Sequence, residues 1–89
     1  PVVCAMNGLA FGGGNELAMS CHARLCVKGL KVLAAQPEPN LGIIPGAGGT
    51  QRLPRLIGVE SAARLLRTGR PISSSEAVTL GLVRGEVER

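Results

Sequence analysis

The sequence has no Asp, no Trp and no Tyr, and it has one Phe and one His. Without Asp, no Ser-His-Asp set can be assembled. His22 has no second His with which to share a metal, and the Cys21-His22 pair fits no zinc spacing, so no metal site is expected. With Phe11 as the lone aromatic, the basic residues lack the stacking platforms that single-stranded nucleic acids need, so no nucleic-acid partner is expected. No apolar run approaches the roughly 20 residues of a membrane span, so no membrane partner is expected either. Three cysteines, an odd number, make no disulfide framework. They read as structural thiols of a reducing, cytoplasmic setting. The opening Pro1-Val2-Val3-Cys4 carries no basic leader, which is unlike a signal peptide. The expectation is a fragment of a longer protein.

What is present is aliphatic. Of 89 residues, 45% are hydrophobic, which excludes a disordered chain. The core must be built from Leu, Val, Ile, Ala and Met. The length allows one domain at most, and a thin one. The net charge is +4, all six acids are Glu, and eight of the ten cations are Arg. The Arg-rich second half has two readings, a surface facing phosphate or acidic ligands and an ordinary solvated surface.

Residues 2–6 form a short β-leaning run that Asn7-Gly8 stops. Residues 9–14 read as a loop and 15–21 as a helix whose core face holds Leu17, Ala18 and Cys21. Strands are expected at 23–27 and 31–35, the first including or adjoining His22. Residues 36–40 hold two prolines and read as irregular. Helices are expected at 50–57 and 60–68, the latter with Ala62, Ala63, Leu65 and Leu66 inward and Gly69 at its C′ position. Ser73-Ser74-Ser75-Glu76 is a capping box for a helix ending at Gly81. Leu82-Val83 and Val87 read as a last edge strand. Strands followed by helices make the class α/β.

Three segments can carry chemistry. Gly12-Gly13-Gly14-Asn15-Glu16 places glycines at a helix start. Free N–H groups there offer an oxyanion or phosphate a donor site, and Glu16 lies within the same turn. A tight turn with a Glu favouring the helix dipole is the other reading. Glu38 is held between Pro37 and Pro39, so its direction is restricted. Near the core it suits general acid–base work; on the surface it is a loop carboxylate. Pro45-Gly46-Ala47-Gly48-Gly49-Thr50-Gln51-Arg52 looks like a phosphate loop but lacks its Lys, and Gln51 stands where a dinucleotide fingerprint needs Gly. Two carboxylates and a helix-start donor together suit chemistry beside a carbonyl.

Asn7-Gly8-Leu9-Ala10-Phe11-Gly12-Gly13-Gly14-Asn15-Glu16-Leu17-Ala18-Met19 resembles the N-G-x-A-x-G-G-G-x-E-L-A segment of enoyl-CoA hydratases, the crotonase family. Gln36-Pro37-Glu38, then Leu41-Gly42-Ile43-Ile44-Pro45-Gly46-Ala47-Gly48-Gly49-Thr50-Gln51-Arg52-Leu53, is similar to its second signature. Thr68-Gly69, Ala77 and Gly81-Leu82-Val83 resemble the stretch that follows.

The resemblance implies part of a crotonase-like ββα superhelical core, with 1–89 a partial domain lacking the family's N-terminal part and C-terminal helices. It implies a lyase of fatty acid metabolism that adds water to an enoyl-coenzyme A thioester. It also implies a homo-oligomer (trimer or hexamer) in full-length form and no cofactor beyond the coenzyme A of the substrate. By the same resemblance Glu16 and Glu38 are catalytic, holding the attacking water between them. The Gly13 N–H is an oxyanion-hole donor, and Gly12 and Gly46 bind substrate. Having both Glu residues favours hydratase over isomerase. A non-catalytic fragment that self-associates is the alternative for the isolated chain. His22 departs from the family's usual Asp, Ala34-Ala35 from its Phe-Gly, and the stretch around Lys28-Gly29-Leu30 is about two residues longer, which points to a longer β-turn.

Overall fold

Val3–Met6 (β1) ends where Asn7-Gly8 breaks the extended run, and Ala10–Phe11 (β2) follows at once. The computed structural model describes residues 1–88. Gly13–Ser20 (α1) leads to Ala23–Val27 (β3) and Ala34–Ala35 (β4). A 3-10 turn at Glu38–Leu41 precedes the helices Gly49–Ile57 (α2), Val59–Thr68 (α3) and Ser74–Leu80 (α4), and Gly85–Val87 (β5) closes the order.

The pairing reveals the repeat. β1 pairs in parallel with β3, Val3 opposite Ala23, and β2 pairs in parallel with β4, Ala10 opposite Ala34. Each ββα turn therefore stacks its first strand on one sheet and its second on another. β5 adds to the far side of β3, giving the order β1-β3-β5. This is the α/β superhelical arrangement expected from the sequence.

The core is aliphatic, as the composition requires. Leu33, Ile72 and Leu82 are its largest fully buried apolar side chains, packed with Met6, Met19, Leu53 and Leu65. Burying a Leu or Ile side chain stabilises the fold by about 1.5–3 kcal/mol.

Several local expectations are corrected. Leu17 points out and is 71% exposed, while Asn15, Glu16, Ala18 and Met19 form the inner face of α1. The reason is that polar side chains, Asn15 and Glu16, find donors and acceptors inside, so hydrophobicity alone misplaces the face. Ala10–Phe11 is a strand within the expected loop, because Ala10 N–H donates to the Leu33 carbonyl at 2.7 Å and Gly12 N–H to that of Ala35 at 2.9 Å. The strand expected at 31–35 is confined to Ala34–Ala35. Residues 36–40 are not irregular throughout, since a 3-10 turn tolerates prolines that would break an α-helix. Leu82 and Val83 are buried outside the last strand, which is Gly85–Val87. His22 precedes β3, in a bend, where its Nδ1 accepts from the Val2 N–H at 2.9 Å. A turn lies at Lys28 and Gly29, with Gly29 at φ 85°.

Arg24 holds the C-terminal end of α1. It is 5% exposed. Its Nη1 donates to the carbonyls of Cys21 at 2.9 Å and Ala18 at 3.2 Å, and its Nε to that of Leu82 at 2.8 Å. α1 has no basic residue in its own last turn, so β3 supplies the cation that its negative end favours. Among the described residues no helix is long and apolar enough to cross a membrane.

The capping box of α4 forms as expected. Ser73 Oγ accepts from the Glu76 N–H at 3.1 Å, and Glu76 Oε1 accepts from the Ser73 N–H at 3.5 Å. Arg70 donates to the Glu76 carboxylate at 3.2 Å and holds that group below the usual range. A lowered folded-state value adds stability above the ordinary Glu range that is lost on acidification. Ser73→Ala is expected to cost about 1 kcal/mol, read as a lower denaturant midpoint at unchanged slope. Arg70→Met is expected to make stability less sensitive to acid, read from denaturant midpoints across the carboxylate range.

Candidate active site

The start of α1 and the 3-10 turn are brought face to face. Gly12 precedes the helix at φ 56° and ψ −121°, a conformation that essentially only glycine adopts. A Cβ on Gly12 would lie 2.9 Å from Glu38 Oε2, so the main chain passes directly against that carboxylate. Around Gly13 a Cβ would meet nothing within 4 Å. The first N–H groups of a helix have no carbonyl four residues back, and Gly13 is the first residue of α1.

Glu16 is 3% exposed and lies in the first turn of α1. Its Oε2 accepts from two main-chain N–H groups, Ala47 at 2.8 Å and Gly49 at 2.8 Å. The glycine-rich segment that resembles a phosphate loop is thus turned inward onto a carboxylate of the chain itself. Gly48 takes φ 99° to make this turn, and a Cβ there would collide with the Arg52 guanidinium. At Gly49 a Cβ would press on Glu16 Oε2 at 3.0 Å, Pro45 Cβ at 3.0 Å and Gln36 Nε2 at 3.1 Å. Gly46 stays exposed at the edge of this loop, with open space on its Cβ side.

Glu38 is 9% exposed and opens the 3-10 turn, with Pro37 before it and Pro39 after it. Its carbonyl accepts from Ile43 N–H at 3.1 Å, which fixes the chain direction beyond the turn. Gln36 Nε2 donates to both carboxylate oxygens, at 3.2 and 3.4 Å. Gln36 Oε1 in turn accepts from Asn15 Nδ2 at 2.7 Å. The sequence reading assigned no role to Asn15 or Gln36. A signal existed at Asn15, a polar residue one position before Glu16 on a short helix that must bury one face.

The structure therefore brings Gly12 against Glu38 and joins Glu16 and Glu38 through Gly49 and Gln36. The wider clefts lie elsewhere. One of about 480 Å³, lined by Ala5, Leu25, Cys26 and Val87 among others, includes neither carboxylate nor Gly12, Gly13 or Gly46. Among the described residues no three His, Cys, Asp or Glu side chains gather as metal ligands.

Short parallel strands in two sheets, interleaved with helices, define a ββα superhelical protein, and two buried carboxylates, Glu16 and Glu38, stand beside its glycine-rich turns. The comparisons with known proteins carry this further. The family model described as enoyl-CoA hydratase/isomerase matches residues 1–88, and the chain belongs to that family. An enoyl-CoA hydratase structure from Bacillus anthracis is 50% identical with a TM-score of 0.93, covering 99% of this chain and 33% of that one. One from Thermoplasma volcanium GSS1 is 41% identical with a TM-score of 0.88, covering 100% and 35%. Pseudomonas aeruginosa DspI is 37% identical with a TM-score of 0.90, covering 97% and 32%. The chain thus spans about one third of the length of these solved relatives.

Gly12→Ala is expected to destabilise the fold by about 1–3 kcal/mol, because backbone strain and the Glu38 contact act together. Urea unfolding checks it, with Gly13→Ala, in open space, as the milder comparison.

Proposed function

We propose that this chain carries the acid–base centre of an enoyl-CoA hydratase, a lyase that adds water across the α,β double bond of an enoyl-CoA thioester. The observation that carries the reading is a pair of carboxylates, both at least nine-tenths buried: Glu38 lies against Gly12 at the start of α1, and Glu16, in the first turn of α1, is joined to it through Gly49 and Gln36. The hydratase structures at 50% and 41% identity support it.

Glu16 has one oxygen engaged by two main-chain amides, so its other oxygen is the one available to a water. Glu16 takes a proton from that water as its oxygen bonds to the β-carbon. Glu38 gives a proton to the α-carbon, and the C=C bond becomes single. The thioester oxygen carries negative charge in between, and the Gly13 N–H is its donor. The proton on Glu16 then returns to Glu38 through the next water, and the balance closes. Gly12 and Gly46 line the substrate, Gly46 through its N–H on the added hydroxyl oxygen. No cofactor is needed beyond the coenzyme A of the substrate.

The parent works as a homotrimer or hexamer in the cytoplasm, in fatty acid metabolism. In support, Leu17, Leu41, Ile43 and Ile44 are each more than half exposed, an apolar surface of the kind that associating proteins cover. The three cysteines are unpaired. The same exposed residues favour a second reading for the isolated 89 residues, self-association without turnover. An isomerase of the same family remains the alternative chemistry, since one carboxylate can move a proton between carbons.

Loss of the conjugated enoyl-thioester absorbance tests the proposal. Glu16→Gln and Glu38→Gln are each expected to lower kcat by about 10²–10⁴-fold with the fold intact. Turnover of a 3-enoyl thioester without hydration of the 2-enoyl isomer would overturn hydratase in favour of isomerase.

A further inference from the structure

Glu38 touches Gln36, and Gln36 touches Asn15, in a line of side chains that are 9%, 2% and 2% exposed. Every orientation in this line follows from the one before it. A carboxylate accepts hydrogen bonds only, so Gln36 must turn its Nε2 toward Glu38. Its Oε1 then faces Asn15, so Asn15 must turn Nδ2 toward Gln36. Asn15 Oδ1 is left over, and it is a buried side-chain oxygen that no donor among the described residues reaches. An unmet buried acceptor is unfavourable, so the arrangement has to be compensated by the end that touches Glu38.

The reversed line is equally complete. If Glu38 carries a proton, its O–H can donate to Gln36 Oε1. Gln36 Nε2 can then donate to Asn15 Oδ1, and Asn15 Nδ2 becomes the unmet atom. An amide turned over keeps its shape, so no repacking is needed. In both polarities one atom of Asn15 is unmet, and Glu38 keeps its partner.

We propose that Asn15 and Gln36 form a reversible amide relay, with Asn15 a positioning residue, that keeps Glu38 hydrogen-bonded both as a carboxylate and as an acid. The proposal rests on the hydratase reading in one respect: that reaction needs Glu38 in both forms during each turnover. The relay moves the unmet hydrogen bond to residue 15, away from the reacting atoms. Asn15 also lines a cavity of about 10 Å³ behind the site, room for about one water. The charged groups around Glu38 are few. Glu16 on α1 lies with Gln36 against Gly49, and Arg70 lines the cavity behind Asn15 and Gln36. The helix packed on the 3-10 turn, α3, carries Glu60, Arg64 and Arg67.

The test follows the side-chain NH2 resonances of Asn15 and Gln36 by 15N NMR through the carboxylate range, in the full polypeptide that carries these residues. Both are expected to shift with one common midpoint, and Glu38→Gln is expected to abolish both shifts. In Gln36→Leu the Asn15 resonance is expected to stop moving. An Asn15 resonance that stays still while that of Gln36 moves would overturn the relay, as would one that still moves in Gln36→Leu. In kinetics, Asn15→Leu is expected to lower kcat about tenfold with KM unchanged. An equal change in KM would make Asn15 merely structural. Because the NMR arm needs no turnover, an enzyme that hydrates no enoyl thioester would sink the hydratase reading while the resonances still decide the relay.

Discussion

Two hydrogen bonds to a single oxygen organise this chain. Glu16 Oε2 receives the N–H groups of Ala47 and Gly49, each at 2.8 Å, from residues more than thirty positions away. A buried carboxylate without donors is costly, and hydrogen bonds from main-chain amides offset that cost. The clasp ties the start of α1 to the start of α2. It also sets the path of the loop from Pro45 to Gly49, and with it the wall against which Gln36 lies. Removing the carboxylate would leave two amides facing the interior, and removing the loop would leave a bare charge there.

Both ends of α1 depend on distant groups. An eight-residue helix is too short to stand alone in water. Its first turn is held through Glu16, and its last carbonyls are held by Arg24 from β3, itself sunk to 5% exposure. The cation at one end and the carboxylate at the other complement the helix dipole, but the partners come from different turns of the superhelix. The helix that presents the Gly13 N–H is therefore oriented by its neighbours rather than by its own propensity. Glycine enters where the main chain must come close, at Gly12 against Glu38 and at Gly49 against Glu16.

Much of this was legible in the residues. The capping box at Ser73, the helix ends at Gly58, Gly69 and Gly81, and the strand at 23–27 rest on local rules that the structure obeys. The candidate carboxylates were legible too, from their placement at a helix start and between prolines. What misled was hydrophobicity read alone. Leu17 was expected inside α1 and lies outside, because Asn15 and Glu16 claim the inner face through hydrogen bonds to Gln36 and to the loop before α2. The two-residue strand β2 escaped notice, and β4 is shorter than the strand expected at 31–35, because neither has a pattern of its own; each exists through pairing with the other.

The sequence by itself determined the kinds of chemistry available: two restricted carboxylates, glycine turns, no Asp, and an aliphatic core arranged as strands followed by helices. Those properties follow from residue type and near-neighbour spacing. The tertiary structure alone decided which oxygen of Glu16 is occupied, which end of the Gln36 amide faces Glu38, and which face of α1 is buried. Each of those depends on partners 21 to 33 residues apart, as Asn15 is from Gln36 and Glu16 from Gly49. A hydrogen bond has direction, and direction is settled only when the chain has closed on itself.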